Sequence, residues 1–149
     1  MRVSSKTDYA LKTVLDLAMH RTEGPIRVSD IAHRQHIPPK FLEQILLLLK
    51  GGGLVTSRRG AKGGYILAVP PSTITLASIV QLTEDSLLSS SASGRATGHD
   101  TAVVQECPFR EIWEEVSGYL STKLAEITML DMCTRAQHLA AKRALEYCI

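Results

Sequence analysis

The stretch "IPPKFLEQILLLLKGGGLVTSRRGAKGGYILAV", Ile37 to Val69, decides the fold. Pro38 is pushed toward extended geometry by the proline after it, which suits a helix cap, and Pro39 suits a first helical position. Leu42, Ile45, Leu46 and Leu49 then recur at helical spacing and predict a buried face. Lys40, Phe41, Glu43, Gln44 and Leu47 are left on the outward side. The glycine triplet Gly51 to Gly53 is expected to close this helix, with glycine supplying the left-handed geometry a helix end commonly needs. Beyond it, "LVTSRR" and "YILAV" are rich in strand formers and "GAKGG" between them can turn, which predicts a two-stranded hairpin.

Glycines beside a lysine also raise the question of a phosphate loop. The GxxxxGK[ST] signature fails, because Lys62 follows Ala61 and precedes Gly63. GxGxxG fails as well, since Gly51 and Gly53 lead to Thr56. Both motifs join a strand to a helix start, whereas this window follows a helix. No acid-base pair on a shared face points to an enzyme, and none is expected.

Upstream, "VSDIAHRQHI" predicts a short helix capped near Val28 or Ser29 and ending near His36. Two helices separated by a tight turn, the second with a polar leading edge, form a helix-turn-helix. A basic hairpin tip following it directly is a wing, so Arg58, Arg59 and Lys62 are candidate contacts to phosphates or a minor groove. Glu43 can accept from cytosine N4 and Gln44 can pair with adenine, so both suit base reading. An earlier helix is expected from Ser5 to His20, stopped by "TEGP", and a short one from about Leu76 to Glu84.

The segment Ser86 to Glu106 is rich in serine, glycine and alanine without a period and predicts a loop. After it, Ile112, Val116, Tyr119, Leu120, Leu124, Ile127 and Leu130 predict one long helix carrying an apolar stripe, and "TRAQHLAAKRALEYCI" a last helix. A stripe of that length exceeds what a small neighbouring domain covers, so pairing with a second copy is expected. Trp113 is expected at that dimer or between the helix and the first domain.

The chain has 149 residues and a net charge of +2, which conceals an asymmetry. Residues 1–64 hold 11 Lys/Arg against 5 Asp/Glu, and residues 65–149 hold 6 against 10. The first half is therefore suited to a polyanion. No run reaches the roughly 18 apolar residues of a membrane span and no leader is evident, so a cytoplasmic protein is expected. Cys107, Cys133 and Cys148 form no CxxC pair, so reduced thiols are the default.

The stretches "YALKTVLDLA", "IAHRQHIPPKFLEQIL" and "GLVTSRRGAKGGYILAVPPSTITLASIV" resemble the Rrf2 family of bacterial transcription regulators. "CPFREIWEEVSGYLSTKLAEITMLDM" resembles that family's dimerisation helix. The resemblance implies a mainly α fold with a small β-hairpin: a winged helix-turn-helix domain over 1–84, a sensor loop over 85–106, and a dimerisation helix with a C-terminal helix over 107–149. It implies a homodimer on a double-stranded DNA operator. Lys40, Phe41, Glu43 and Gln44 match base-facing positions, and Arg59 matches the wing arginine. Many members hold an iron-sulfur cluster on three loop cysteines. Here Cys107 matches the last of these, Asp8 matches a position that donates an oxygen across the dimer, and His99 is the remaining candidate donor. Arg110 stands where some members have histidine. One thiolate is a poor start for such a cluster.

The expectation is a sequence-specific regulator, a repressor, responding to redox, iron or iron-sulfur status. A change near Cys107 would alter how the long helix seats the two winged domains. The rival is a thiol or metal sensor that acts through a protein partner without specific DNA binding.

Overall fold

The computed structural model describes residues 3–84 and 108–147. The order is α1 (Ser5–Met19), a single 3₁₀ turn (Arg21–Glu23), α2 (Val28–Gln35), α3 (Pro39–Gly51), β1 (Val55–Arg58), β2 (Gly64–Leu67), α4 (Leu76–Thr83), α5 (Pro108–Glu126) and α6 (Met129–Tyr147). This is the expected mainly helical chain with one antiparallel hairpin.

Helix α1 is the centre of the packing. Ser4 caps it by accepting the Thr7 N–H at 3.2 Å. Its buried Ala10, Val14, Leu17 and Ala18 meet Ile31 of α2, Leu42, Ile45, Leu46 and Leu49 of α3, and Ile79 of α4 in one core. The helix stops at Met19, one residue short of expectation, with His20 as its cap.

The glycine triplet ends α3 as expected, and the structure shows which glycine turns left-handed. Gly51 is still helical and the cap, Gly52, has φ −80° and ψ 0°, so the left-handed residue is Gly53 at φ +74°. The Gly53 N–H reaches the Lys50 carbonyl at 3.1 Å, and the Leu54 N–H reaches the Leu49 carbonyl at 3.0 Å. This pair of bonds satisfies the last carbonyls of α3 and aims Leu54 into β1.

The C-terminal helices do correct the sequence reading. The expected stripe through Ile127 to Leu130 is not one helix, because α5 ends at Glu126 and α6 starts at Met129. The backbone between them docks on the segment before α4. Leu76 N–H donates to the Ile127 carbonyl at 2.9 Å, Met129 N–H to the Ile74 carbonyl at 2.7 Å, and Thr75 and Thr128 form an antiparallel bridge. Thr128 and Asp131 close a capping box: the Thr128 N–H donates to Asp131 Oδ2 at 2.9 Å and the Asp131 N–H to Thr128 Oγ1 at 3.2 Å. Helix α6 thereby delivers Met129 and Cys133 into the core around α1. Cys133 is a free, buried thiol whose pKa burial raises.

Thr83 and Glu84 close α4 onto the start of α1. The buried Thr7 hydroxyl donates to Glu84 Oε1 at 2.6 Å and lies 2.7 Å from Thr83 Oγ1. Hydrogen bonds from Ser4 and then Thr7 hold the Glu84 carboxyl below the usual carboxylate range. A carboxyl lowered on folding adds stability above its ordinary pKa, and that stability is lost as pH falls through the lowered value. The urea midpoint is therefore expected to stay level down to about pH 5 and then fall. Asp131, lowered by Thr128, acts with the same sign, so Glu84→Gln should remove only part of the fall. An identical acid profile in Glu84→Gln would show that this contact contributes nothing.

Candidate nucleic-acid interface

The helix-turn-helix is set by three residues between α2 and α3. His36 takes a left-handed conformation, φ 52° and ψ 42°, and its N–H returns to the Ala32 carbonyl. Histidine visits this region more readily than most residues with a Cβ. Pro38 caps α3 in extended geometry and Pro39 is its first residue, as the paired prolines predicted. The cap of α2 is Arg27, whose side chain makes no capping hydrogen bond, in place of Val28 or Ser29.

A buried ion pair fixes α2 against α1. Asp16 is fully buried; Arg34 Nε donates to its Oδ1 at 3.0 Å and Nη2 to its Oδ2 at 2.7 Å. Gln35 Nε2 adds a third donor to Oδ1 at 2.9 Å. Both carboxylate oxygens are thus satisfied, which a charge taken out of water requires. The carboxylate in turn raises the Arg34 pKa further. Asp16 sits within the apolar stripe of α1, so only the fold gives it a partner.

Lys40, Phe41, Glu43 and Gln44 are all exposed on α3, while Leu42, Ile45, Leu46 and Leu49 face the core. Phe41 is at the edge of the exposed face, with its ring edge-on to Tyr9 of α1 at 6.4 Å between centroids. Beside that contact, Ser5, Lys6 and Tyr9 of α1 line a cleft of about 320 Å³ with Phe41, Gln44 and Ile45. Lys6 and Ser5 are therefore neighbours of the recognition face, which their place in the sequence, far from α3, did not signal.

The hairpin pairs Val55 with Leu67, Thr56 with Ile66, Ser57 with Tyr65 and Arg58 with Gly64. Ile26 extends it by a bridge to Tyr65. That bridge accounts for Gly64, since a Cβ there would run into the Ile26 backbone carbonyl. Gly60, at φ +120°, makes the turn. Arg27 of the α2 cap reaches across to the Ala61 carbonyl at 3.2 Å, and Lys50 of α3 to Ser57 Oγ at 2.9 Å. Both tether the wing to the helix-turn-helix.

The three wing cations separate into two groups. Arg59 and Lys62 stand in the turn, whereas Arg58 ends β1 and lines a second cleft, of about 530 Å³, with Arg21, Ile26 and Tyr65. None of Lys40, Arg58, Arg59 and Lys62 is in an ion pair among the described residues. They remain available to an external anion.

Of the candidate cofactor residues, Asp8 alone lies among the described residues. Cys107 and His99 lie outside the described residues. Asp8 is on the half-exposed side of α1, with its carboxylate 2.7 Å from Lys12 Nζ. Among the described residues no three His, Cys, Asp or Glu side chains could hold a metal ion. The thiol among them, Cys133, is buried and kept protonated, so these residues do not fit an iron-sulfur cluster.

Helix α5 carries its own exposed apolar face. Phe109, Ile112, Trp113, Val116 and Tyr119 are each more than half exposed and repeat at three- and four-residue spacing. Trp113, 67% exposed, does not pack on the winged domain, one of the two places expected for it. No helix among the described residues is long and apolar enough to cross a membrane.

Comparison with known proteins agrees with this geometry. The Rrf2 family model, described as an iron-dependent transcriptional regulator, matches residues 3–135. The HTH-type transcriptional regulator IscR of Photorhabdus laumondii subsp. laumondii is 36% identical over 124 residues, covering 82% of this chain and 75% of that protein. The solved structure of T. potens IscR gives a TM-score of 0.77 at 32% identity, over 91% of this chain and 88% of that one. CymR, the global cysteine regulator of B. subtilis, gives 0.74 at 28% identity, over 91% and 98%. With a helix-turn-helix, a tethered basic wing and a family match over most of its length, the chain belongs to the Rrf2 family of winged-helix transcriptional regulators.

Proposed function

We propose that this regulator binds a specific double-stranded operator in the cytoplasm as a homodimer, and represses by occupying it. The observation that carries the reading is the pairing of α3, whose exposed face holds Lys40, Glu43 and Gln44, with a hairpin turn presenting Arg59 and Lys62 outside any ion pair of the described residues. Helix α3 supplies polar groups that match base edges, and the turn supplies cations that match phosphates or a narrow minor groove. The apolar face of α5 supplies the surface for a second copy, which would set the spacing of two half-sites.

The signal we propose is redox or iron status, read through Cys107. The family description and the relation to IscR and to a cysteine regulator support that direction. Operator affinity measured before and after mild oxidation, in the wild type and in Cys107→Ser, tests it; equal affinities in all four samples would remove Cys107 from the signal.

DNA binding itself is tested by salt titration. Each phosphate neutralised adds close to one unit to the slope of log K against log salt. Arg59→Ala is expected to weaken binding to all duplexes and to reduce that slope by about one, with the fold intact. An unchanged slope would mean that the wing does not touch the duplex. Flat affinity of the wild type between low and moderate salt would instead favour a sensor acting through a protein partner.

A further inference from the structure

The exposed pole of α3 is not wholly polar. At 3.6 residues per turn, Lys40, Gln44, Leu47 and Gly51 fall within about 60° of one another, opposite the buried Leu42, Ile45, Leu46 and Leu49. Leu47 is 66% exposed, compared with half-buried Leu48 beside it. It stands one turn beyond Gln44. Gly51, a further turn on, has open space where a Cβ would be, so bare backbone flanks Leu47 and lets this end of the helix approach a surface closely.

An exposed leucine on an ordinary surface requires no explanation. This one occupies the middle of the face that, on the DNA-binding reading above, enters the major groove. There its chemistry is restrictive. A leucine can neither donate to the N7 and O6 acceptors of guanine nor accept from cytosine N4, and a G·C pair pressed against it would lose water without a partner. Thymine alone among the four bases offers an apolar group at that edge, its C5 methyl.

We propose that Leu47 reads a thymine methyl in each half-site. The register follows from the helix rise: Leu47 lies about 4.5 Å along the axis from Gln44, against a base-pair spacing of about 3.4 Å. The thymine is therefore one or two base pairs from the base that faces Gln44. Leu47 adds specificity by matching one methyl and by rejecting G·C, while Lys40 and Gln44 supply the hydrogen bonds.

The inference rests on the DNA-binding reading, and one experiment separates the two. Duplexes are selected from a random pool by the full-length wild type and by Leu47→Ser, whose fold is checked by circular dichroism. The wild-type sites should hold a fixed thymine in each half, and replacing one of the two with deoxyuridine should weaken binding about four-fold, the worth of one buried methyl. In Leu47→Ser both the thymine preference and the deoxyuridine effect should vanish. A wild type indifferent to deoxyuridine at every thymine, or a Leu47→Ser protein that keeps the same preference, overturns the role of Leu47 and leaves DNA binding standing. Failure to select any duplex overturns DNA binding and this role with it.

Discussion

Arg34→Ala is expected to lower the free energy of unfolding by about 3 kcal/mol, at the lower end of what breaking a buried ion pair costs. The loss arises less from the missing attraction than from the carboxylate left behind. Asp16 has no exposed side-chain surface, and without Arg34 its two oxygens retain one hydrogen bond, from the Gln35 amide at 2.9 Å, with His20 Nδ1 3.9 Å from Oδ2. The lower end applies because the Arg34 side chain is 32% exposed, so water can follow into its place and solvate part of the charge. Thermal unfolding should show a fall in midpoint of about 10 °C. Arg34→Lys should recover little, since an ammonium cannot make both bonds of the fork. A loss below about 1 kcal/mol in Arg34→Ala would mean that the pair contributes no more than an exposed one does. Because this pair joins α1 to α2, the same variant should also loosen the helix-turn-helix and weaken operator binding.

The other large effect is expected on α5. Ile112→Glu with Val116→Glu places two carboxylates in the middle of the apolar face formed by Phe109, Ile112, Trp113, Val116 and Tyr119. Both positions are more than half exposed within the single chain, so the helical content should not change. The proposed dimer should dissociate, seen by light scattering, because burying an unpaired charge opposes association. Operator affinity should then fall by a factor of about 10² to 10⁴, the gain lost when two linked half-sites are no longer engaged together. A doubly substituted protein that stays dimeric would place the interface elsewhere. A monomer that retains full affinity would remove the dimer from operator recognition.

Much of the DNA-facing unit is legible in the chain because its causes are local. Paired prolines start α3, the leucines at helical spacing define its buried face, and the outward positions of Lys40, Phe41, Glu43 and Gln44 follow from the same period. The hairpin follows from two runs of strand formers around a glycine-rich turn. The spacing of Thr128 to Asp131 permits a capping box, but the apolar period runs on past it, and the docking of Thr128 against Thr75 makes the break between α5 and α6. Asp16 gave no such sign, since a carboxylate within an apolar stripe reads as an exposed exception until its partner, 18 residues away, is known.

By itself, then, the sequence determined the helices, the wing and the basic character of the first half, because periodicity, turn chemistry and charge act over a few residues. The tertiary structure alone decided three things. It buried Asp16 beneath Arg34, it divided the C-terminal stripe by bridging Thr128 to Thr75, and it brought Met129 and Cys133 into the core of α1. Each joins groups distant in the chain, where the outcome depends on which buried polar atoms find partners. The outward place of Leu47, between Gln44 and Gly51, belongs with what the sequence determined, since the period that buries Leu42, Ile45, Leu46 and Leu49 leaves it exposed whatever its own hydropathy.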